Sequence, residues 1–235
     1  MNRRTGHWLV ATSLSFGLAL ASFQPAANAA VLANWTFETA PPTNAGPHAA
    51  DGGILGGAAS GSHASTATVY DNPSGNGSTE SFSSNNWAVG DFWQFRSSTT
   101  GFQNVTLQWD QTSSNTGPRD FQVSWSTDGT TFTPLGGPYA VLANAAPNPT
   151  WNPTTSSPLY TSGPIAAPPA LDNQATIYFR LTNTSTVSAN GGTVAATGTD
   201  RIDNVIISGT AIPEPASLGL LAGAGLALRR RRRRA

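Results

Sequence analysis

Phe121-Gln122-Val123-Ser124-Trp125-Ser126-Thr127-Asp128-Gly129-Thr130-Thr131-Phe132-Thr133 is the stretch that decides the fold. Phe121, Val123 and Trp125 alternate with Gln122 and Ser124, the period of two that a pleated strand shows when one face is buried. Asp128-Gly129 then separates that run from Thr131-Phe132-Thr133, and Asp-Gly between two such runs is the strongest short hairpin signal. Outward from it the alternation recurs. Val105, Leu107 and Trp109 are spaced by Thr106 and Gln108, and Ile177, Phe179 and Leu181 by Tyr178 and Arg180. Further strands are expected over residues 33–38, 66–70, 91–96 and 202–208. Between residues 30 and 212 no segment carries a convincing 3.6-residue apolar period. Short strands, turn signals and no helices predict an all-β domain, a sandwich or barrel.

Two long stretches interrupt the pattern, residues 39–65 and 138–172, and the second contains eight prolines. Loops of that length inside a compact domain are functional or mobile, and mobile decoration of the sandwich rim is the expectation here. Trp151 and Tyr160 stand apart. A large aromatic in a polar loop either pins the loop to the core or offers a binding face, and pinning is expected.

The two termini follow different rules. Arg3 and Arg4 precede an apolar run over residues 8–21, and Ala27-Asn28-Ala29 has the A-x-A form of a signal-peptidase site. Residues 1–29 therefore read as a signal peptide helix for the secretion translocon, cut by signal peptidase after Ala29. At the other end stand Pro213, Glu214 and Pro215, an apolar run over residues 216–228, and Arg229, Arg230, Arg231, Arg232, Arg233 and Arg234. A helix of that length covers about 20 Å of a roughly 30 Å hydrocarbon core. The six guanidinium groups argue against a buried core helix. They flank a short transmembrane helix and hold it with the C-terminus on the cytoplasmic side.

In order and in kind, the Pro213-Glu214-Pro215 motif, the short apolar run and the Arg cluster resemble the C-terminal sorting signal of PEP-CTERM proteins, here residues 213–235. That resemblance implies processing by an exosortase-type enzyme near the motif. It also implies a precursor anchored in the inner membrane and a mature form at the cell surface or in the extracellular matrix, associated with extracellular polysaccharide. Between the two signals lies a domain of residues 30–212. Its segment 121–133 is similar to the hairpin of galactose-binding-like and related carbohydrate-binding jelly rolls, and Arg201-Ile202-Asp203-Asn204-Val205-Ile206-Ile207 resembles their closing strand. A jelly-roll-like β-sandwich with long Gly/Ser/Pro-rich loops is the fold this implies. In that comparison an acid from each terminal strand, Glu38 and Asp203, would hold a structural calcium ion; both also fit exposed strand-end charges.

Charge and composition narrow the function. Within residues 30–212 only Arg96, Arg119, Arg180 and Arg201 are basic, against eleven carboxylates, a net charge of −7. An acidic domain argues against nucleic acid. Lysine and cysteine are both absent, which excludes thiol chemistry and disulfide bracing. No Gly-x-Ser-x-Gly elbow occurs, and His48 and His63 have no zinc-ligand spacing and read as solvated loop residues. The only glutamates of the domain are Glu38 and Glu80, and no sequence feature pairs acids as a glycosidase needs. The expectation is a non-catalytic surface or matrix protein. The alternative is a carbohydrate-binding module, with Trp87 and Trp151, in polar sequence contexts, as the rings that stack on a sugar.

Overall fold

The computed structural model describes residues 28–213. Most of the expected signal peptide and everything from Glu214 onward, including the apolar run and the Arg cluster, lie outside the described residues. Among the described residues no helix is long and apolar enough to cross a membrane.

Thirteen strands build two antiparallel sheets: β1 (Ala29–Trp35), β2 (His48–Ala49), β3 (Gly57–Ser62), β4 (Tyr70–Asp71), β5 (Phe82–Ser84), β6 (Phe92–Ser97), β7 (Phe102–Ser113), β8 (Asp120–Ser126), β9 (Thr133–Pro134), β10 (Tyr139–Ala140), β11 (Thr161–Ala166), β12 (Ile177–Asn183) and β13 (Asp200–Ala211). The six-stranded sheet runs β11-β7-β13-β5-β4, with β1 also paired to β13. The seven-stranded sheet runs β10-β8-β12-β6-β3-β2, with β9 on β8. Residues from both sheets enter one buried cluster, so the domain is a β-sandwich.

The alternating runs form strands as expected. Ile177, Phe179 and Leu181 are fully buried in β12, and Val105, Leu107 and Trp109 are buried in β7. Aromatic rings link the core from side to side. Phe37 meets Phe82, Phe82 meets Trp93, Trp93 meets Trp87, and Trp87 meets Phe121, with ring centroids 4.4–5.6 Å apart. Tyr139 and Trp109 continue the series. Edge-to-face rings at such separations add stability beyond the area they bury.

The hairpin after β8 is wider than a two-residue turn. Asp128 Oδ1 accepts from the N–H groups of Thr130 and Thr131, both at 2.8 Å, and Ser126 Oγ accepts from those of Asp128 and Gly129. These side chains close a six-residue loop before β9, where Asp-Gly alone would close two.

Both supposed rim loops contain sheet structure. Within residues 39–65, β3 is an interior strand between β6 and β2. Its sequence, Gly57-Ala58-Ala59-Ser60-Gly61-Ser62, lacks the β-branched and aromatic residues that mark strands. The neighbours explain this. A Cβ on Gly57 would lie 2.6 Å from the Trp35 ring, and one on Gly61 would lie 2.6 Å from the Tyr70 ring and 2.9 Å from that of Trp93. Small residues are what the large rings leave room for. In residues 138–172, β11 pairs with β7, and Trp151 packs edge-on against Tyr160 at 5.9 Å, both nearly buried. The strand expected over 66–70 reduces to Tyr70–Asp71, and β1 begins four residues earlier than expected because its start pairs with the end of β13.

Where β1 ends, Phe37 takes a positive φ of 60°, an uncommon conformation for a bulky residue. Asp51 holds it. Its carboxylate accepts from the N–H groups of Thr36 and Phe37, both at 2.7 Å, and of Thr39 at 3.0 Å. Burial works to raise the Asp51 pKa, but the donated hydrogen bonds outweigh it and the net shift is downward.

Two substitutions test this account by chemical denaturation. Gly61→Ala forces a methyl into two rigid rings and should cost about 1–3 kcal/mol. Asp51→Ala leaves three N–H groups without their acceptor and should cost about 1–3 kcal/mol.

Candidate functional site

Polar chemistry concentrates at three places around β13. The first is a carboxylate cluster under the loop of residues 75–80. Asp203, fully buried, pairs across the sheet with Asp110, also buried. Asp203 Oδ2 accepts from the Asn76 backbone N–H at 2.9 Å, Ser78 Oγ at 2.6 Å and Asn204 Nδ2 at 3.1 Å. Asp110 Oδ2 accepts from the side-chain amides of Asn76 and Asn204, each at 2.9 Å, while its Oδ1 takes the Thr161 hydroxyl. Gly75 is obligatory here. A Cβ on it would stand 2.1–2.3 Å from Ser78 Oγ, Asp203 Oδ2 and Glu80 O, three oxygens that converge on its face. Burial, with Asp110 adding its charge, drives the Asp203 carboxyl up to about 7 despite the hydrogen bonds it accepts. Among the described residues neither acid has a basic partner; the acid–base contacts are Arg119–Asp120, an ion pair, and His63–Asp91, charged only when the imidazole is protonated.

Glu38, expected to end the first strand, lies three residues past the end of β1 and reaches the same loop from there. It accepts from the Glu80 N–H at 2.7 Å and from the Thr79 hydroxyl. Glu38 and Asp203 therefore grip different residues of one loop, and among the described residues no group of three or more acids or histidines converges.

The second place is the side of the sandwich between edge strands β10 and β11. A cleft of about 210 Å³ opens there, lined by Gln111, Tyr139, Leu142, Leu159, Tyr160 and Ser162. A shallower hollow of about 370 Å³ lies across Tyr139 and Ala140, reaching Asp120, Thr184 and Ser185. Behind the cleft the Gln111 amide joins the rings to a buried acid. Its Oε1 accepts from Tyr139 Oη at 2.7 Å and Trp109 Nε1 at 3.1 Å, and its Nε2 donates to Asp200 at 3.0 Å. Asp200 also accepts from Trp93 Nε1 at 2.6 Å and Ser113 Oγ at 3.0 Å. Burial raises its pKa to about 7 against those bonds, and burial with the Asp200 charge raises Tyr139 as well.

His63 forms the third. It is buried rather than solvated, because the ring sits edge-on to Trp87 at 4.4 Å and to Tyr70 at 5.6 Å. Its Nε2 lies 3.0 Å from Ser84 Oγ, and its Nδ1 lies 3.1 Å from Asp91 Oδ2 but off the hydrogen-bond axis. The order Ser84, His63, Asp91 has the form of a nucleophile relay. Ser84 is nonetheless sealed inside β5, between β4 and β13, where no substrate carbonyl can approach. Burial lowers the His63 pKa, and the Asp91 charge only partly offsets it.

Trp87 and Trp151 do not present faces to a sugar. Both are 6 % exposed. Trp87 is the middle link of the aromatic series and donates Nε1 to Ser84 O at 3.0 Å, so its polar neighbours in sequence misplace it. Trp151 pins the proline-rich segment through Tyr160. Sequence reasoning passed over Asp110, Asp200 and Gln111; a signal for Gln111 existed, since it puts an amide at the core-facing position that continues Val105, Leu107 and Trp109. Of the sorting motif only Pro213 is described, exposed and two residues beyond the end of β13.

No family model matches the chain, and no curated protein matches it in sequence. Among solved structures, the K2 cleaved adhesin domain of Lys-gingipain is similar at 14 % identity and a TM-score of 0.42, covering 74 % of this chain and 96 % of that one. The K1 cleaved adhesin domain of Lys-gingipain from Porphyromonas gingivalis W83 is similar at 12 % identity and a TM-score of 0.40, with 65 % and 91 % covered. The enzymatically active domain of bacteriophage CBA120 tailspike protein 4 follows at 13 % identity and a TM-score of 0.32, with 66 % of this chain and 19 % of that one covered. Likeness this loose carries no functional argument.

The buried acids and the buried imidazole give opposite pH dependences. Between 3.8 and about 7 the folded chain keeps protons on Asp200 and Asp203 that the unfolded chain has released. Their contribution to stability therefore falls as pH rises through that window. In urea titrations across it, Asp203→Asn should flatten the fall. Folded, His63 takes up its proton at a lower pH than the unfolded imidazole, which does so near 6.5, so its contribution falls as pH drops below that value. His63→Phe should remove this acid-side loss.

Proposed function

We propose that the chain is an exported, non-catalytic surface or matrix-associated protein whose β-sandwich is delivered to the envelope by a C-terminal sorting signal for an exosortase-type enzyme. The observation that carries the reading is the position of the signal relative to the fold. Strand β13 runs to Ala211, and Pro213-Glu214-Pro215, the apolar run and the Arg cluster follow at once. By sequence, a proline on each side of Glu214 disfavours helix there, which suits engagement by a processing enzyme. The test is the intact mass of the protein recovered from the envelope and medium of an exosortase-bearing host. A chain that starts at Ala30 and ends near residues 213–215 is expected. Full-length chain in the cytosol overturns the reading.

A structural calcium ion belongs to the same proposal. The oxygens of Asp203, Ser78 and Glu80 converge at Gly75, and the buried acid pair lacks a counter-charge among the described residues. That donor set suits a hard cation. Asp203 and Glu38 would hold it with oxygens of the loop, once the N–H and O–H groups now bonded to Asp203 turn away. Bound there, the ion would neutralise the acids and fasten the two terminal strands to the loop. Chelation should lower the thermal midpoint of the wild type and leave that of Asp203→Asn unmoved; an unmoved wild type rules the ion out.

A carbohydrate-binding role is the second reading, and the cleft beside β10 is what favours it. Tyrosine rings, a serine hydroxyl and apolar rims are the mixture that sugar sites use. A glycan array probed with the wild type and with Ser162→Trp, which fills the cleft, separates the readings. Signals lost in the variant support the sugar site, and uniform silence removes it. Trp87→Ala should cost about 3–5 kcal/mol of stability instead of acting on a ligand.

A further inference from the structure

The first and last strands of the domain are hydrogen bonded to each other, with Ala29 opposite Thr210 and Ala30 opposite Gly209. The described chain therefore enters and leaves the sandwich at one end. That end is apolar. Four of the eight exposed large apolar side chains among the described residues sit there: Val31 at 42 % exposure, Ile54 at 61 %, Leu55 at 37 % and Ile212 at 38 %.

Ile54 and Leu55 are held outward. The Ile54 N–H donates to Val31 O at 3.2 Å and the Leu55 N–H to Leu32 O at 2.9 Å, fastening their turn along β1. Gly53, at a φ of 98°, lies so close that a Cβ on it would stand 2.5 Å from Leu32 O. A turn pressed onto backbone in this way cannot fold its apolar tip back into the core. Exposed aliphatic side chains fixed by a rigid turn mark a surface that something covers.

Chain length says what covers it. From Ile212 to Ala216, where the apolar run begins, the chain spans four residues, about 14 Å when fully extended. We propose that this end of the sandwich is a docking surface for a lipid bilayer, in contact with it for as long as the chain keeps its C-terminal segment. The proposal rests on the reading that residues 216–228 insert in a membrane. A tether this short sets a high effective concentration, so a patch too weak to bind lipid alone is held in contact. Arg96, exposed and paired to Ala58 near the start of β3, lies at the same end and faces anionic headgroups. Two acids lie at that end: Asp128 follows β8, three strands from β3 in the sheet order, and Asp172 adjoins Asn173, which bonds the turn of Gly101 and Phe102 that also holds Ile212, so the contact with lipid is carried by the aliphatic side chains and not by net charge.

Because the chain has no cysteine, single replacements give unique labels. The full-length chain, reconstituted in phosphatidylcholine/phosphatidylglycerol vesicles containing brominated lipid, would carry a fluorophore at Ile54→Cys, Leu55→Cys or, at the opposite end, Ala196→Cys. Vesicle flotation is read alongside quenching. Several-fold stronger quenching at positions 54 and 55 than at 196 is expected. Equal quenching in chain that floats with the vesicles overturns the docking and leaves the tether standing. Chain that does not float overturns the tether, and the docking with it. In I54E/L55E, whose changes are at exposed positions, a label at Val31→Cys should lose its quenching while the chain still floats. Unchanged quenching at 31 counts against the patch.

Discussion

Strand β13 is hydrogen bonded along its length to β7, and along successive halves to β5 and β1. The six-stranded sheet therefore closes around a strand that is last in the domain. The pairing of β1 with it spans nearly the whole domain sequence, and such non-local contacts repay their loop-closure entropy only when the rest is in place. Apart from the bridge from Asn34 to Gly52 and the N–H groups of Ile54, Leu55 and Gly56 that donate to Val31 and Leu32, β1 is held by residues 205–210.

The same strand organises the polar chemistry. Asp200 and Asp203 leave β13 on opposite faces, Asp200 toward Gln111 and the rings behind the cleft, Asp203 toward the loop of residues 75–80 that covers the outer face. Each is satisfied by neutral donors. Burial without a counter-cation is tolerable when every oxygen is hydrogen bonded, and it leaves the two carboxyls titrating far above their ordinary range. The cluster at Asp203 is thus a hydrogen-bonded clamp on the loop of residues 75–80.

The sandwich has two unlike ends. At one, the Ser84, His63 and Asp91 side chains are packed among Tyr70, Trp87 and Trp93, and the relay geometry serves packing because the rings close it. At the other, both chain ends emerge beside outward-turned aliphatic residues. Between them, on one side, the edges of the two sheets leave the cleft beside Tyr139.

Period-two alternation in residues 105–109, 121–125 and 177–181 is a local property, imposed by one buried face on a pleated strand, and for that reason those strands were legible in the amino-acid sequence. So were the composition of the termini and the scarcity of basic residues in between. Strand β3 was not legible, because its Gly and Ala residues record the space left by Trp35, Tyr70 and Trp93 and carry no propensity of their own. The burial of Trp87 and His63, amid polar neighbours, was equally hidden, since ring contacts join residues far apart in the chain. Glu38 and Asp203 stood out in the sequence as acids of the two terminal strands, but that Glu38 lies past the end of β1, that Asp203 is fully buried inside β13 and joined by Asp110, and that both grip one loop, depends on cross-strand register. Register is set by the packing of both sheets at once, so only the tertiary structure decided it.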